Sequence, residues 1–247
     1  MKKTVARKVR GIAACCLAAV VSLQAQQHLL LASAAGYKKP VGSLVAAFEK
    51  RSGLRTETIF GNLQMVVSQA KLSGEVAIVI GDRRFLDKLG TALTFSEYVV
   101  LGRGIPVLAF RKGMVIRSPG DLLTDTVRSV FIPQDGKAIY GIAGKEALAS
   151  FGYTDLVAPK LTEVGTVPQV LSYLLTGEAD AGFINLTEAL ANEKRLGGYI
   201  VIPDTAYTAI DIVAGRVAGF ESSAPAGDFL QFLQSDTARA VCAGFGL

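Results

Sequence analysis

The sequence predicts an α/β protein built as two lobes, each a mostly parallel sheet flanked by helices, with a ligand cleft between them. Two observations carry this expectation. Apolar runs of strand length alternate with segments whose apolar residues recur at helical spacing, beginning at Leu29 and continuing along the chain. No low-complexity stretch, charge block or Pro/Ser-rich linker interrupts that alternation. Two lobes would then be joined by strand-like crossings near 99–107 and 204–212, which leave no shift in composition. One lobe would hold both the start and the end of the mature chain.

The opening unit, Leu29–Leu54, reads as strand, tight loop and helix. Leu29–Ala32 is apolar; Val41, Leu44, Val45 and Phe48 then follow at helical spacing. Pro40 suits a first helical turn, and Gly53 the residue just past the helix end. A loop of this kind aims unpaired N–H groups and a positive dipole end at whatever sits above the strand, which favours an anion. Arg55–Phe60 is the next strand, and Leu63, Val66, Val67 and Ala70 mark a helix capped by Asn62. Val76–Ile80 is a third strand, with Asp82 as the cap of a short helix over 83–89. In such sheets ligands sit beyond the carboxyl ends of the strands, at these loops.

Leu93–Gly104 reads as a bridge with a strand-like centre at Val99–Leu101. Val107–Phe110 is a strand that begins at Pro106 or lies at an edge. Ser118-Pro119 starts a helical piece, and Val127–Ile132 is a strand. Gly136–Gly141 forms a loop before a helix over Ile142–Phe151, and a second helix spans Val167–Leu175. Ala181–Ile184 is a short strand, and Thr187 caps a helix through Leu196. Tyr199–Ile202 and Ile210–Ala214 are strands, and Phe229–Phe245 closes the chain as a helix.

Residues 1–25 read as a secretory signal: a basic start with Lys2, Lys3, Arg7, Lys8 and Arg10, an apolar run, and Ala25 at the cleavage site. The chain has 26 Lys and Arg against 21 Asp and Glu, and five of the basic residues lie in this segment. The mature chain is thus close to neutral, and its pI gives no reason to expect a nucleic-acid partner. Cys15 and Cys16 leave with the signal, so Cys242 remains alone, without an internal disulfide. With one histidine, His28, and one mature cysteine, a protein-ligated zinc or copper site is not expected.

With that order established, four segments resemble the periplasmic molybdate-binding family, a branch of the type II periplasmic binding proteins. They are FEKRSGL (Phe48–Leu54), YGIAGKEALASFG (Tyr140–Gly152) with the PKL that follows, GEADAGFI (Gly177–Ile184) and FLQSDTARAVCAGFG (Phe232–Gly246). The resemblance implies a periplasmic or otherwise exported solute-binding protein, a monomer serving the membrane permease of an ABC importer. It implies lobes of 26–105 with 208–247 and of 106–207. It also implies a bound oxyanion such as molybdate or tungstate, no cofactor and no catalysis. Family members hold the anion with hydroxyl groups and backbone N–H donors. Carried over by position, these contacts fall at Gly36, Leu63, Tyr140, Val167 and Asn185. The family pattern has serines at the first two and a tyrosine at the last; Tyr140 and Val167 stand where it donates backbone N–H groups.

Other candidates near the same loops are Tyr37, Lys38, Asn62, Gln64 and Gly141. Tyr37 lines the cleft or covers the loop. Lys38 offers charge to an anion or is solvated, and Lys39 reads as solvated. Asn62 is a helix cap at the ligand-facing end. Gln64 reaches ligand or solvent. Asp82 reads as a cap, since a carboxylate repels an anion. There is no G-x-S-x-G elbow, P-loop or G-x-G-x-x-G, and nothing marks an acid/base pair. The alternatives to a molybdate-type carrier are a carrier of a different small anion, or an exported enzyme or sensor module that reuses the scaffold.

Overall fold

The computed structural model describes residues 28–90 and 92–247. The proposed signal, with Cys15 and Cys16, lies outside the described residues. The elements in chain order are β1 (His28–Ala34), α1 (Lys38–Ser52), β2 (Arg55–Gly61), α2 (Leu63–Ser73), β3 (Ile78–Asp82), α3 (Arg83–Lys88), β4 (Phe95–Gly104) and β5 (Pro106–Phe110). Then come β6 (Val130–Pro133), α4 (Ile139–Ser150), α5 (Thr154–Val157), β7 (Leu161–Val164), α6 (Val167–Thr176), β8 (Ala181–Asn185) and α7 (Leu186–Ala191). The last are β9 (Gly198–Val201), β10 (Ile210–Val217), α8 (Ala224–Leu233) and α9 (Asp236–Gly244).

Two five-stranded sheets form, ordered β2-β1-β3-β10-β4 and β7-β6-β8-β5-β9. The α/β expectation holds, but the sheets are mixed. In the first, β1 pairs parallel with β2 and β3, and β10 runs antiparallel between β3 and β4. In the second, β6 pairs parallel with β7 and β8, and β5 runs antiparallel between β8 and β9. Each reversed strand is the one that follows a passage between the sheets: β5 after Ile105, β10 after the stretch from Ile202 to Ala209. A chain that returns through a sheet directly, without a crossover helix, can only pair antiparallel there. The second passage is not the strand expected from sequence; it contains a 3-10 turn, Asp204–Ala206.

The ends of the described chain meet in one core. Phe48 of α1 packs edge-on against Phe229 of α8, with ring centroids 5.0 Å apart, and at 5.6 Å from Phe232. All three rings are buried, so the first and eighth helices share one face of the first sheet.

Several boundaries differ from the sequence reading. The expected bridge is a ten-residue strand, β4, paired only along β10. Pro106 begins β5, which has neighbours on both sides, so the edge alternative is out. The helical piece after Ser118 is a 3-10 turn, Pro119–Leu123. The sixth strand starts at Val130 rather than Val127. The helix expected from Ile142 starts at Ile139, which places Tyr140 and Gly141 inside its first turn. Asn185, not Thr187, caps α7, and the helix stops at Ala191 before a 3-10 turn at Glu193–Arg195. The closing helix is two helices, broken where Ser235 caps α9 through Ala238 N–H. β7 escaped the sequence reading because its segment, LTEV, is an exposed edge strand without an apolar run.

Candidate functional site

A cavity of about 40 Å3 lies where five strand-to-helix junctions meet. Residues 34–37, 61–63 and Asp82 line it from the first sheet; residues 137–140 and 166–167 line it from the second. On this measure a water needs about 10–15 Å3, so the cavity has room for roughly three or four oxygen-sized groups. One tetrahedral anion has that many oxygens.

At four of the junctions first-turn residues or the turn leading into the helix line the cavity, and at the fifth only the cap of α3, Asp82, does so. Ala35–Tyr37 is a 3-10 turn running into α1, and neither it nor α4 has a side-chain cap. The other two are capped by a side chain: Asn62 Oδ1 accepts from Met65 N–H at 2.9 Å, and Thr166 Oγ1 from Gln169 N–H at 3.3 Å. The first-turn amides of a helix have no carbonyl partner within it and carry the positive end of its dipole. Ala35, Gly36, Leu63, Ile139, Tyr140 and Val167, which stand at such helix starts, border a single small space. Concentrating partial positive charge around one small space suits an anion, and a single carboxylate, that of Asp82, stands in the same lining.

Two phenols join the sheets beside these amides. Tyr37 and Tyr140, both buried, place their hydroxyls 2.7 Å apart. One hydroxyl donates to the other, which leaves the second with its own proton for a further acceptor. Burial pushes both phenols above their ordinary value, so they remain neutral donors. Gly104 is required here: a Cβ would meet the Tyr140 hydroxyl at 2.5 Å.

The ten residues singled out from sequence divide into two groups. Gly36, Tyr37, Asn62, Leu63, Tyr140 and Val167 line the cavity together. Asn185 stands behind it, fully buried: its Nδ2 donates to Gly36 O at 3.0 Å and its Oδ1 accepts from Glu188 N–H at 3.2 Å. Gly141 is also behind the lining, where a side chain would collide with Pro133 O. Lys38 is exposed, with its ammonium 5.8 Å from the Phe60 ring centroid, and Gln64 is exposed on α2; neither lines the cavity. Lys39 is not simply solvated. Its Nζ lies 3.5 Å from Oε2 of Glu188, a side chain 7% exposed on α7. His28 sits at the start of β1, 3.4 Å from Glu57 and away from the cavity.

Sequence reasoning missed Lys137, an exposed residue in a loop with no pattern, and it assigned Asp82 only half of its position. Asp82 Oδ1 does cap α3, accepting from Phe85 N–H at 2.9 Å. The residue is 1% exposed, lines the cavity, and its Oδ2 has no hydrogen-bond partner among the described residues. Burial pushes its carboxyl up to about 6; the Phe85 and Arg84 N–H groups and the Arg84 charge oppose that, and Asp211 adds to it. A cap signature in sequence cannot show where the second oxygen points.

The raised value makes a stability prediction. Below the ordinary carboxylate range Asp82 is neutral folded and unfolded. As pH rises through about 6 the folded protein must ionise a buried group, and stability falls. Asparagine caps a helix as well as aspartate does. Asp82→Asn is therefore expected to stabilise the ligand-free protein near pH 8 by about 1–3 kcal/mol and to change little near pH 4. Urea unfolding at the two pH values measures this; an equal effect at both would mean that ionisation is not the cause.

Comparison with known proteins agrees with this architecture. The family described as bacterial extracellular solute-binding protein matches residues 29–247. The molybdate-binding protein ModA of Azotobacter vinelandii is 26% identical over 172 residues, 68% of each chain. ModA of Rhodobacter capsulatus is 24% identical over 229 residues, 89% of this chain and 87% of the relative. The solved periplasmic molybdate-binding protein of Azotobacter vinelandii superposes with a TM-score of 0.79 at 22% identity, covering 88% of this chain and 97% of that one. At such identity the superposition speaks for the fold, which is the type II periplasmic binding protein architecture, and not for the ligand. With the family match spanning nearly all of the described chain, the protein is a member of the bacterial extracellular solute-binding proteins, a family of binders and not of catalysts.

Proposed function

We propose that this protein is the exported binding component of an ABC importer and that it captures a small tetrahedral oxyanion of the molybdate or tungstate type. One observation carries the reading: the starts of four helices, two from each sheet, border one cavity sized for a single such anion. The ligand sits between two lobes, residues 26–105 with 208–247 and residues 106–207, and the lobes close on it. The amides of Gly36, Leu63, Tyr140 and Val167 bind it, the Tyr37–Tyr140 hydroxyl pair replaces the hydroxyls that the related pattern takes from serines, and Asn62 and Asn185 hold the loops in place. Residues 1–25 direct export and are removed. The names of the molybdate-binding relatives support the anion type. Among the described residues no helix is long and apolar enough to cross a membrane and no cluster of His, Cys, Asp and Glu could hold a cation; a separate permease receives the anion.

The test is a thermal-shift panel on the mature chain with molybdate, tungstate, sulfate and phosphate. At about a hundredfold excess over Kd the bound form gains about 2.7 kcal/mol. For a chain of this size that raises the midpoint by about 5–11 °C, at roughly 2–4 °C per kcal/mol. No shift with any of the four ions would sink the proposal.

A further inference from the structure

α7 follows β8 of the second sheet, yet several of its contacts are with parts of the chain that pack on the first. Asn185 Nδ2 donates to Gly36 O. Leu186 and Leu190 stand against Gly246, where a Cβ would meet them at 2.9 and 3.0 Å. Glu188 Oε2 faces Lys39 Nζ of α1 at 3.5 Å. Neither helix accounts for its half of that ion pair. Lys39 lies in the first turn of α1, where the positive end of the dipole repels a cation and no acidic residue offsets it. Glu188 lies three residues after the cap Asn185, in the first turn of α7. A carboxylate there commonly reaches back to the cap N–H, or complements the dipole while exposed. The Glu188 side chain is instead 7% exposed, and its Oε2 accepts from Asn192 Nδ2 at 3.2 Å. A carboxylate buried this far is costly unless a cation stands against it. Among the described residues the cation within ion-pair distance is Lys39, across the cleft.

We propose that Lys39 and Glu188 form a clasp that holds the two lobes closed on the anion, with Lys39 a positioning residue for its capture. This rests on the oxyanion-carrier reading above. In the closed protein Lys39 offsets the burial of Glu188. When the lobes part, both charges return to water and the pair contributes nothing. The pair thus belongs to the closed state alone, and it acts on affinity through the fraction of molecules that stay closed.

The consequence is asymmetric. Removing Lys39 alone leaves a buried carboxylate without its cation, which favours opening. Removing both charges leaves nothing to compensate, because neutral side chains of similar volume fill such a place as well as an ion pair does. Lys39 is not in the cavity lining, so its effect on the anion runs through Glu188 and not through a contact of its own.

The experiment is isothermal titration of the mature parent, Lys39→Met, Glu188→Gln and the double variant with molybdate, tungstate, sulfate and phosphate, beside urea unfolding of each without ligand. For an ion that binds the parent, Lys39→Met is expected to weaken binding about tenfold, chiefly through faster release. Glu188→Gln should weaken it only about threefold, since an amide needs no cation and its oxygen still accepts from Asn192. The double variant should recover to about the level of Glu188→Gln. The urea midpoints without ligand should coincide, because the pair is absent from the open protein. A double variant as weak as Lys39→Met means that Lys39 attracts the anion directly, and overturns the clasp. Equal affinity in all four proteins, or a ligand-free midpoint that falls in step with affinity, overturns it as well. Each of these results leaves the oxyanion reading standing. A parent that binds none of the four ions overturns the two together.

Discussion

Phe48→Ala is expected to lower the stability of the ligand-free protein by about 3–5 kcal/mol, the usual cost of emptying a buried aromatic site. At roughly 2–4 °C per kcal/mol for this chain length, the thermal midpoint should fall about 6–20 °C. Phe48 is 2% exposed and stands between Phe229 and Phe232 of α8, so its loss removes packing on two rings at once. The edge-on geometry with Phe229 adds an electrostatic part to the area term. The consequence reaches the site, because α1 carries the Ala35–Tyr37 turn at its start. Chemical denaturation with and without ligand measures both effects. A loss under about 1 kcal/mol would show that the core around α1 relaxes into the space and that the helix is held elsewhere.

Asn185→Ala should be the costliest change close to the cavity that leaves its lining intact. Removing Oδ1 uncaps α7, worth about 1 kcal/mol, and removing Nδ2 strips Gly36 O of its donor, worth about 1–1.5 kcal/mol. The expected loss of stability is about 2–3 kcal/mol. Affinity should fall about tenfold, because the first-sheet loop loses the hydrogen bond that fixes it against the second sheet. Asn185→Asp keeps the cap acceptor but sets a buried carboxylate oxygen against Gly36 O in place of the donor. If that variant binds the anion as tightly as the parent, the bond to Gly36 does not position the loop.

The two variants mark how far the sequence could be read. The face of α1 was visible in the spacing of Val41, Leu44 and Phe48, because helical periodicity records which side is buried. Asn62 and Gly53 marked where elements begin and end, since capping needs particular side chains or a left-handed backbone, and Gly53 has φ 73°. The split of the closing helix at Ser235 and the start of α4 at Ile139 were misjudged because the apolar pattern runs through both places without a break. Asn185 was singled out by position and is not in the cavity lining, while Lys38 and Gln64, chosen for their donors, are exposed and do not line it.

From the amino-acid order alone follow the succession of strands and helices, the anion-favouring loops after them and the family resemblance, because each is written in local spacing or in short segments. What the folded chain added is the meeting of loops far apart in sequence. Tyr37 and Tyr140 share a hydrogen bond across 103 positions, and Gly36 and Asn185 across 149. The unpartnered oxygen of Asp82 arises the same way: its helix fixes one oxygen locally, and the arrangement of two sheets decides what faces the other. Periodicity states that a surface is buried but not against what. Sheet order and the two passages between sheets supply that partner, and with it the size and chemistry of the site.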